Sequence, residues 1–125
     1  MIIKDINTLS CFIAEDGSTL KEILPPYNDN NDTSLKLPYS LAYAEIKGQQ
    51  QSTPQRLHQS TEIYIILKGT AMMHINDDTQ HVQANTVIII PPNSIQYIEI
   101  ISDHTLRFVC LVSPPYHPSN DNHIE

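Results

Sequence analysis

The feature that most constrains this chain is a succession of short segments rich in Ile, Val, Thr and Tyr, each closed by turn-forming residues. Residues 41–46, 62–67, 71–75, 86–90, 95–101 and 106–112 read as strands, since β-branched and aromatic side chains suit a pleated, half-buried surface. Lys47-Gly48, Lys68-Gly69, Asn76-Asp77-Asp78, Pro91-Pro92-Asn93 and Ser102-Asp103 punctuate them. Strands recurring every ~8–12 residues with turn signals between them predict an all-β sandwich or barrel. Residues 63–67 and 87–90 barely alternate, which predicts burial on both faces, one inside a closed structure and the other beneath a second sheet or subunit.

Outside these segments the signals are weaker. Residues 18–24 suit one helical turn or a strand, and Pro25-Pro26 ends either. Residues 28–34 form a polar loop, and 113–125 a polar tail in which Pro114-Pro115-Tyr116 packs over the barrel or across a subunit interface. With 125 residues and no repeat or linker, residues 1–125 form one domain. Fourteen acidic against seven basic side chains give a charge of −7, the wrong sign for a nucleic-acid partner. No apolar run approaches the ~20 residues of a membrane span, and residues 1–5 lack the character of a signal peptide. Cys11 and Cys110 make no disulfide framework, so the expected setting is the cytoplasm.

Chemistry concentrates in Gln55-Arg56-Leu57-His58-Gln59-Ser60-Thr61-Glu62, which runs into the strongest strand and ends in a carboxylate. Burying Glu62 as an ion calls for a neutralising partner. Two are near in sequence: Arg56, as an ion pair, or a metal shared with His58. On a straight strand, residues four apart lie ~13 Å from each other at ~3.3 Å per residue, so sharing an ion requires a bulge at residues 59–61. A second informative stretch, residues 85–96, is a strand, a double-Pro turn and a new strand whose early residue Gln96 points inward.

Together the two stretches resemble the cupin superfamily of jelly-roll barrels. The first cupin motif has the form G-x5-H-x-H-x3,4-E-x6-G. Arg56-x-His58-x3-Glu62-x6-Gly69 matches its spacing, with Arg at the first His and Gln50 at the leading Gly. The second, G-x5-P-x-G-x2-H-x3-N, finds Asn85, Pro91, Asn93, Gln96 and Ile100 in register. Asn, the non-Gly residue that best tolerates left-handed angles, fills both Gly positions. The resemblance covers residues 41–115 and implies an all-β cupin-type jelly-roll β-barrel, with residues 1–40 adding edge strands, as a homodimer.

The resemblance further implies a divalent metal (Fe, Mn, Ni or Zn) held by His58, Glu62 and Gln96, with His74 as an extra ligand. The protein is then a dioxygenase or an isomerase/lyase acting on a small anionic molecule. Glu62 and Arg56 form its catalytic pair, Arg56 gripping a carboxylate in two-pronged fashion, and Arg56, Tyr64 and Gln96 line the substrate pocket. Blander readings stand beside these. An Arg56–Glu62 ion pair needs no metal, His74 suits the outer face of its strand, and Tyr64 and Cys110 suit core packing. His81, His104, His117 and His123 suit solvent. The alternative function is a metal-free or non-catalytic module that binds a small molecule, and a third is metal-free acid–base catalysis by Glu62.

Overall fold

The computed structural model describes residues 1–14, 16–24 and 37–116, together with the backbone of 121–123. Eleven strands are described: β1 (Phe12–Ile13), β2 (Thr19–Leu24), β3 (Ser40–Ile46), β4 (Gln55–Leu57), β5 (Thr61–Lys68), β6 (Thr70–Ile75), β7 (Asp78–Gln83), β8 (Val87–Ile90), β9 (Ile95–Glu99), β10 (Leu106–Ser113) and β11 (Asp121–His123). A single 3-10 turn at Ile6–Thr8 is the one helical element among the described residues. The strands pair antiparallel into two sheets, ordered β1-β2-β3-β10-β5-β8 and β11-β4-β9-β6-β7. All six segments read from the sequence are strands within a residue or two of the expected bounds.

Period-two alternation decides what each strand buries. In β5, Glu62, Tyr64 and Ile66 turn inward, while Ile65 and Leu67 face out. In β9, Gln96 and Ile98 turn inward, followed by Ile100 just beyond the strand. Between the sheets, Ile46, Ile66, Ile90, Leu106 and Phe108 meet Ala71, Met73, Val82, Ile98 and Ile100. Each large apolar side chain buried there contributes about 1.5–3 kcal/mol relative to exposure. Of the adjacent pair Met72 and Met73, only Met73 enters this core.

No second sheet of the same chain covers the outer face of residues 63–67 and 87–90: Ile65, Leu67, Val87 and Ile89 are 42–63% exposed on the outer face of the β5–β8 edge. Strand β7, with His81 exposed on it, is not among the segments read from the sequence, because a polar edge strand burying only Val82 carries no visible alternation. The tail is not free of structure either: β11 pairs with β4, joining Asp121 to Leu57 and His123 to Gln55. β1 and β2 extend the larger sheet beyond β3, with β1 at its edge. The polar loop at 28–34 and His117 lie outside the described residues.

Candidate functional site

The inner face of the larger sheet borders a cavity of ≈ 290 Å³. β5 contributes Glu62 and Tyr64, β10 contributes Phe108, Cys110 and Val112, and β3 contributes Ala42 and Ala44. Phe12, Ile13, Ala14, Asp16, Ser18 and Tyr116 close it on other sides, and Gln55 reaches it from the opposite sheet. Tyr116 is held there because its backbone N–H donates to Ser40 Oγ at 3.1 Å, while Ser60 Oγ donates to the Pro114 carbonyl at 2.8 Å. The segment directly after β10 therefore packs over its own barrel.

Glu62 is the polar centre. It is 4% exposed. Gln96 Nε2 donates to its Oε1 at 3.2 Å, and the Cys110 thiol donates to its Oε2 at 3.3 Å. Two donors on separate oxygens are what keeps a buried carboxylate tolerable. Cross-strand register explains the meeting, since Val112 lies opposite Glu62 and Cys110 opposite Tyr64. Tyr64 and Phe108 stack obliquely with centroids 4.7 Å apart. Burial, then the Glu62 charge, pushes the Cys110 thiol well above its ordinary range. The Tyr64 phenol is raised well above its own for the same reasons, while a hydrogen bond from Gln96 opposes the shift. Both groups are neutral near pH 7.

The residues read from the sequence divide sharply. Glu62, Tyr64 and Gln96 come together, Glu62 and Tyr64 in the cavity wall and Gln96 bonded to Glu62. Arg56 does not join them. It lies opposite Ile95, while its neighbour Gln55 lies opposite inward-facing Gln96, and cross-strand partners share a face. Arg56 thus sits on the outer face, with its Nε buried and without a hydrogen-bond partner; it is not part of the cavity lining. His58 is exposed and shares a 3.2 Å hydrogen bond with Asn93 Oδ1. His74 lies on the outer face of β6, stacked on Tyr97 at 4.1 Å and 3.2 Å from Glu99.

Sequence reasoning missed Gln55, Cys110's contact with Glu62, and the register behind them. The cupin motif admits three or four residues before its Glu, and the structure follows the longer spacing. Counted that way, Gln55 and Leu57 stand where the family has two His, and Gln49 stands at the leading Gly. Backbone angles support this count. Gln49, Asn85, Asn93 and Gly69 all have positive φ, at 62°, 71°, 66° and 98°. These are the four motif positions preceding or closing a turn, where glycine's left-handed freedom is required.

A cupin metal does not fit this donor set. The family's ligand positions hold Gln55, Leu57, Glu62 and Gln96. Leu57 offers no donor, and amide oxygens are poor ligands for Fe, Ni or Zn compared with imidazole. Among the described residues no group of three or more His, Cys, Asp or Glu is arranged to hold an ion.

Residues 38–115 match the family model for the AraC-like ligand binding domain. The uncharacterized protein MJ1618 of Methanocaldococcus jannaschii is 32% identical over 116 residues, 92% of this chain and 89% of that protein. Among solved structures, the polyketide cyclase RemF from Streptomyces resistomycificus is similar with a TM-score of 0.79 at 17% identity, over 100% of this chain and 86% of that one. A cupin 2 conserved barrel domain protein from Salinispora arenicola gives 0.76 at 15% identity, over 90% and 88%. The nucleoside dehydratase Pac13 from Streptomyces gives 0.74 at 15% identity, over 100% and 92%. At such identities the likeness is one of fold.

Proposed function

Because the chain belongs to the AraC-like ligand binding domain family and has the cupin barrel fold, we propose that it binds a small organic molecule inside the barrel without a resident metal. The observation that carries this reading is the cavity itself: ≈ 290 Å³, walled mainly by apolar and aromatic side chains, with one deeply buried carboxylate as its polar anchor. Apolar walls with a few fixed polar groups are the usual make-up of a small-molecule site. Incubation with a metabolite pool followed by native mass spectrometry tests it, with Ala42→Leu filling the cavity as the control. A mass adduct on the wild type that Ala42→Leu loses is the expected result; no adduct overturns it. Metal analysis of untagged protein, before and after exposure to Fe(II), Mn(II), Ni(II) and Zn(II), is expected to find no stoichiometric ion. One metal per chain, lost in Glu62→Ala, would restore the metalloenzyme reading.

A second reading is metal-free acid–base catalysis in the same cavity. Glu62 beside the neutral phenol of Tyr64 supports it, as does the presence of a dehydratase and a cyclase among the structural neighbours. Under that reading, Glu62→Gln keeps ligand binding and loses turnover.

A homodimer belongs to the same proposal, supported by the exposed apolar face of Ile65, Leu67, Val87 and Ile89. So does a cytoplasmic setting, supported by two unbridged cysteines. No helix among the described residues is long and apolar enough to cross a membrane.

A further inference from the structure

The charge of the cavity is opposite to what the anion expectation requires. Asp16, Glu22 and Glu62 line it, and among the described residues no Lys, Arg or His does. Three basic side chains of the described residues are engaged elsewhere: Lys4 Nζ donates to the Ile23 carbonyl and Lys21 Nζ to the Ile6 carbonyl, while Arg107 faces Glu45 at 3.8 Å. Asp16 is fixed by the Ser18 backbone N–H and hydroxyl, both on Oδ1, so Oδ2 keeps its lone pairs. Its charge is felt at both Tyr64 and Cys110, where the Glu62 charge also acts; the two carboxylates thus bear on one region. Glu22, exposed on β2, adds a third negative group at the rim.

The walls carry a second, independent signal. Both phenylalanines of the chain, Phe12 and Phe108, line the cavity, as do Tyr64 and Tyr116. Aromatic faces are negative at their centres and attract organic cations, more strongly where water is excluded. Low-dielectric walls of one sign also focus the field on what enters. We propose that the cavity selects a small organic cation, an ammonium-bearing molecule with an apolar body, placing the charged head among the aromatic rings on the Asp16–Glu62 side. This rests on the reading of the cavity as a ligand site and names the class of ligand it takes.

Three probes of nearly equal shape separate charge from size: choline, its neutral carbon isostere 3,3-dimethyl-1-butanol, and the anion 3,3-dimethylbutanoate. Titrations at low salt, followed by protein NMR shifts of cavity residues, are expected to rank them in that order. Choline should bind about tenfold or more tightly than the alcohol. The pair Asp16→Asn and Glu22→Gln, which keeps the Ser18 contacts possible, should cut choline's advantage and leave the alcohol unchanged. Phe12→Ala should weaken choline by a larger factor than the alcohol, which loses only apolar contact. Equal binding of choline and the alcohol, tighter binding of the anion, or shifts from none of the three overturns the cation proposal. The ligand-cavity reading is judged separately, by the adduct that Ala42→Leu abolishes, so the two can fail independently.

Discussion

If Gln55 and Leu57 occupy the family's two His positions, then imidazoles introduced there should create a metal centre that the natural chain lacks. The triple variant Gln55→His, Leu57→His, Gln96→His supplies three inward-facing imidazoles beside Glu62, the set three-His-one-carboxylate sites use. Alternate residues of a strand lie ~6.6–6.8 Å apart on one face, so two imidazoles there can converge on one ion with bonds of ~2.0–2.1 Å. Without metal the variant should lose stability, because Leu57 is 4% exposed and giving up a buried Leu costs about 1.5–3 kcal/mol. Zn(II) at a hundred times its Kd returns about 2.7 kcal/mol. For a chain of this length, intermediate between the size classes usually tabulated, that corresponds to a rise of roughly 8–14 °C in Tm over the metal-free variant. Thermal denaturation with Zn(II) or with chelator reads the difference, and elemental analysis gives the stoichiometry. The wild type should not respond. A matching variant in the other register, Arg56→His with Gln96→His and native His58, should not respond either, since residue 56 faces outward. Metal uptake by that variant but not by the triple variant would refute the register and the placement of Arg56.

Alkaline pH should destabilise the protein through Cys110 and Tyr64. Both are raised above their ordinary values of 9.0 and 10.0, so the unfolded chain ionises first. Their stabilising effect is fully present below about pH 9 and is lost as pH rises towards the folded-state values, at about 1.4 kcal/mol per pH unit for each group. Denaturant titrations across that range should show Tyr64→Phe with the shallower slope. Gly48→Ala should cost about 1–3 kcal/mol, because the new Cβ would stand 2.4 Å from the backbone carbonyl carbon of Asp103; an unchanged denaturation midpoint would contradict that contact. Ile65→Lys with Ile89→Lys should convert a dimer to monomer in sedimentation equilibrium while leaving cavity binding intact, and a wild type already monomeric would end the dimer proposal.

The fold was legible because its central strands carry their own signal. Ile, Val and Tyr cluster in the strands whose inner faces form the core, and Gly69, Asn85 and Asn93 stand where the backbone turns left-handed. What stayed hidden were strands whose formation is decided by partners. β4 is three residues long, and β11 exists by pairing with it. β7 is polar because it lies at an edge and buries only Val82. None of these writes an alternating pattern into its own residues.

The same difference explains the site. Glu62 and Tyr64 were readable from parity along one long strand, and Gln96 from its place after the double-Pro turn, while Cys110 was legible only as a buried thiol. Arg56 and His58 were misplaced because the segment before Glu62 bends between β4 and β5, and the number of residues in that bend sets which side chains face in. A slip of one residue reverses every face. Here the slip decides the chemistry: it replaces a cation and an imidazole in the barrel with Gln55 and Leu57. It thereby leaves Glu62 and Asp16 to set the sign of the cavity. The positive φ at Gln49 was the one local clue, and a glutamine gives no warning of it. A site whose polarity depends on the length of one bend is therefore read from the paired strands that fix that bend, and only then from its residue types.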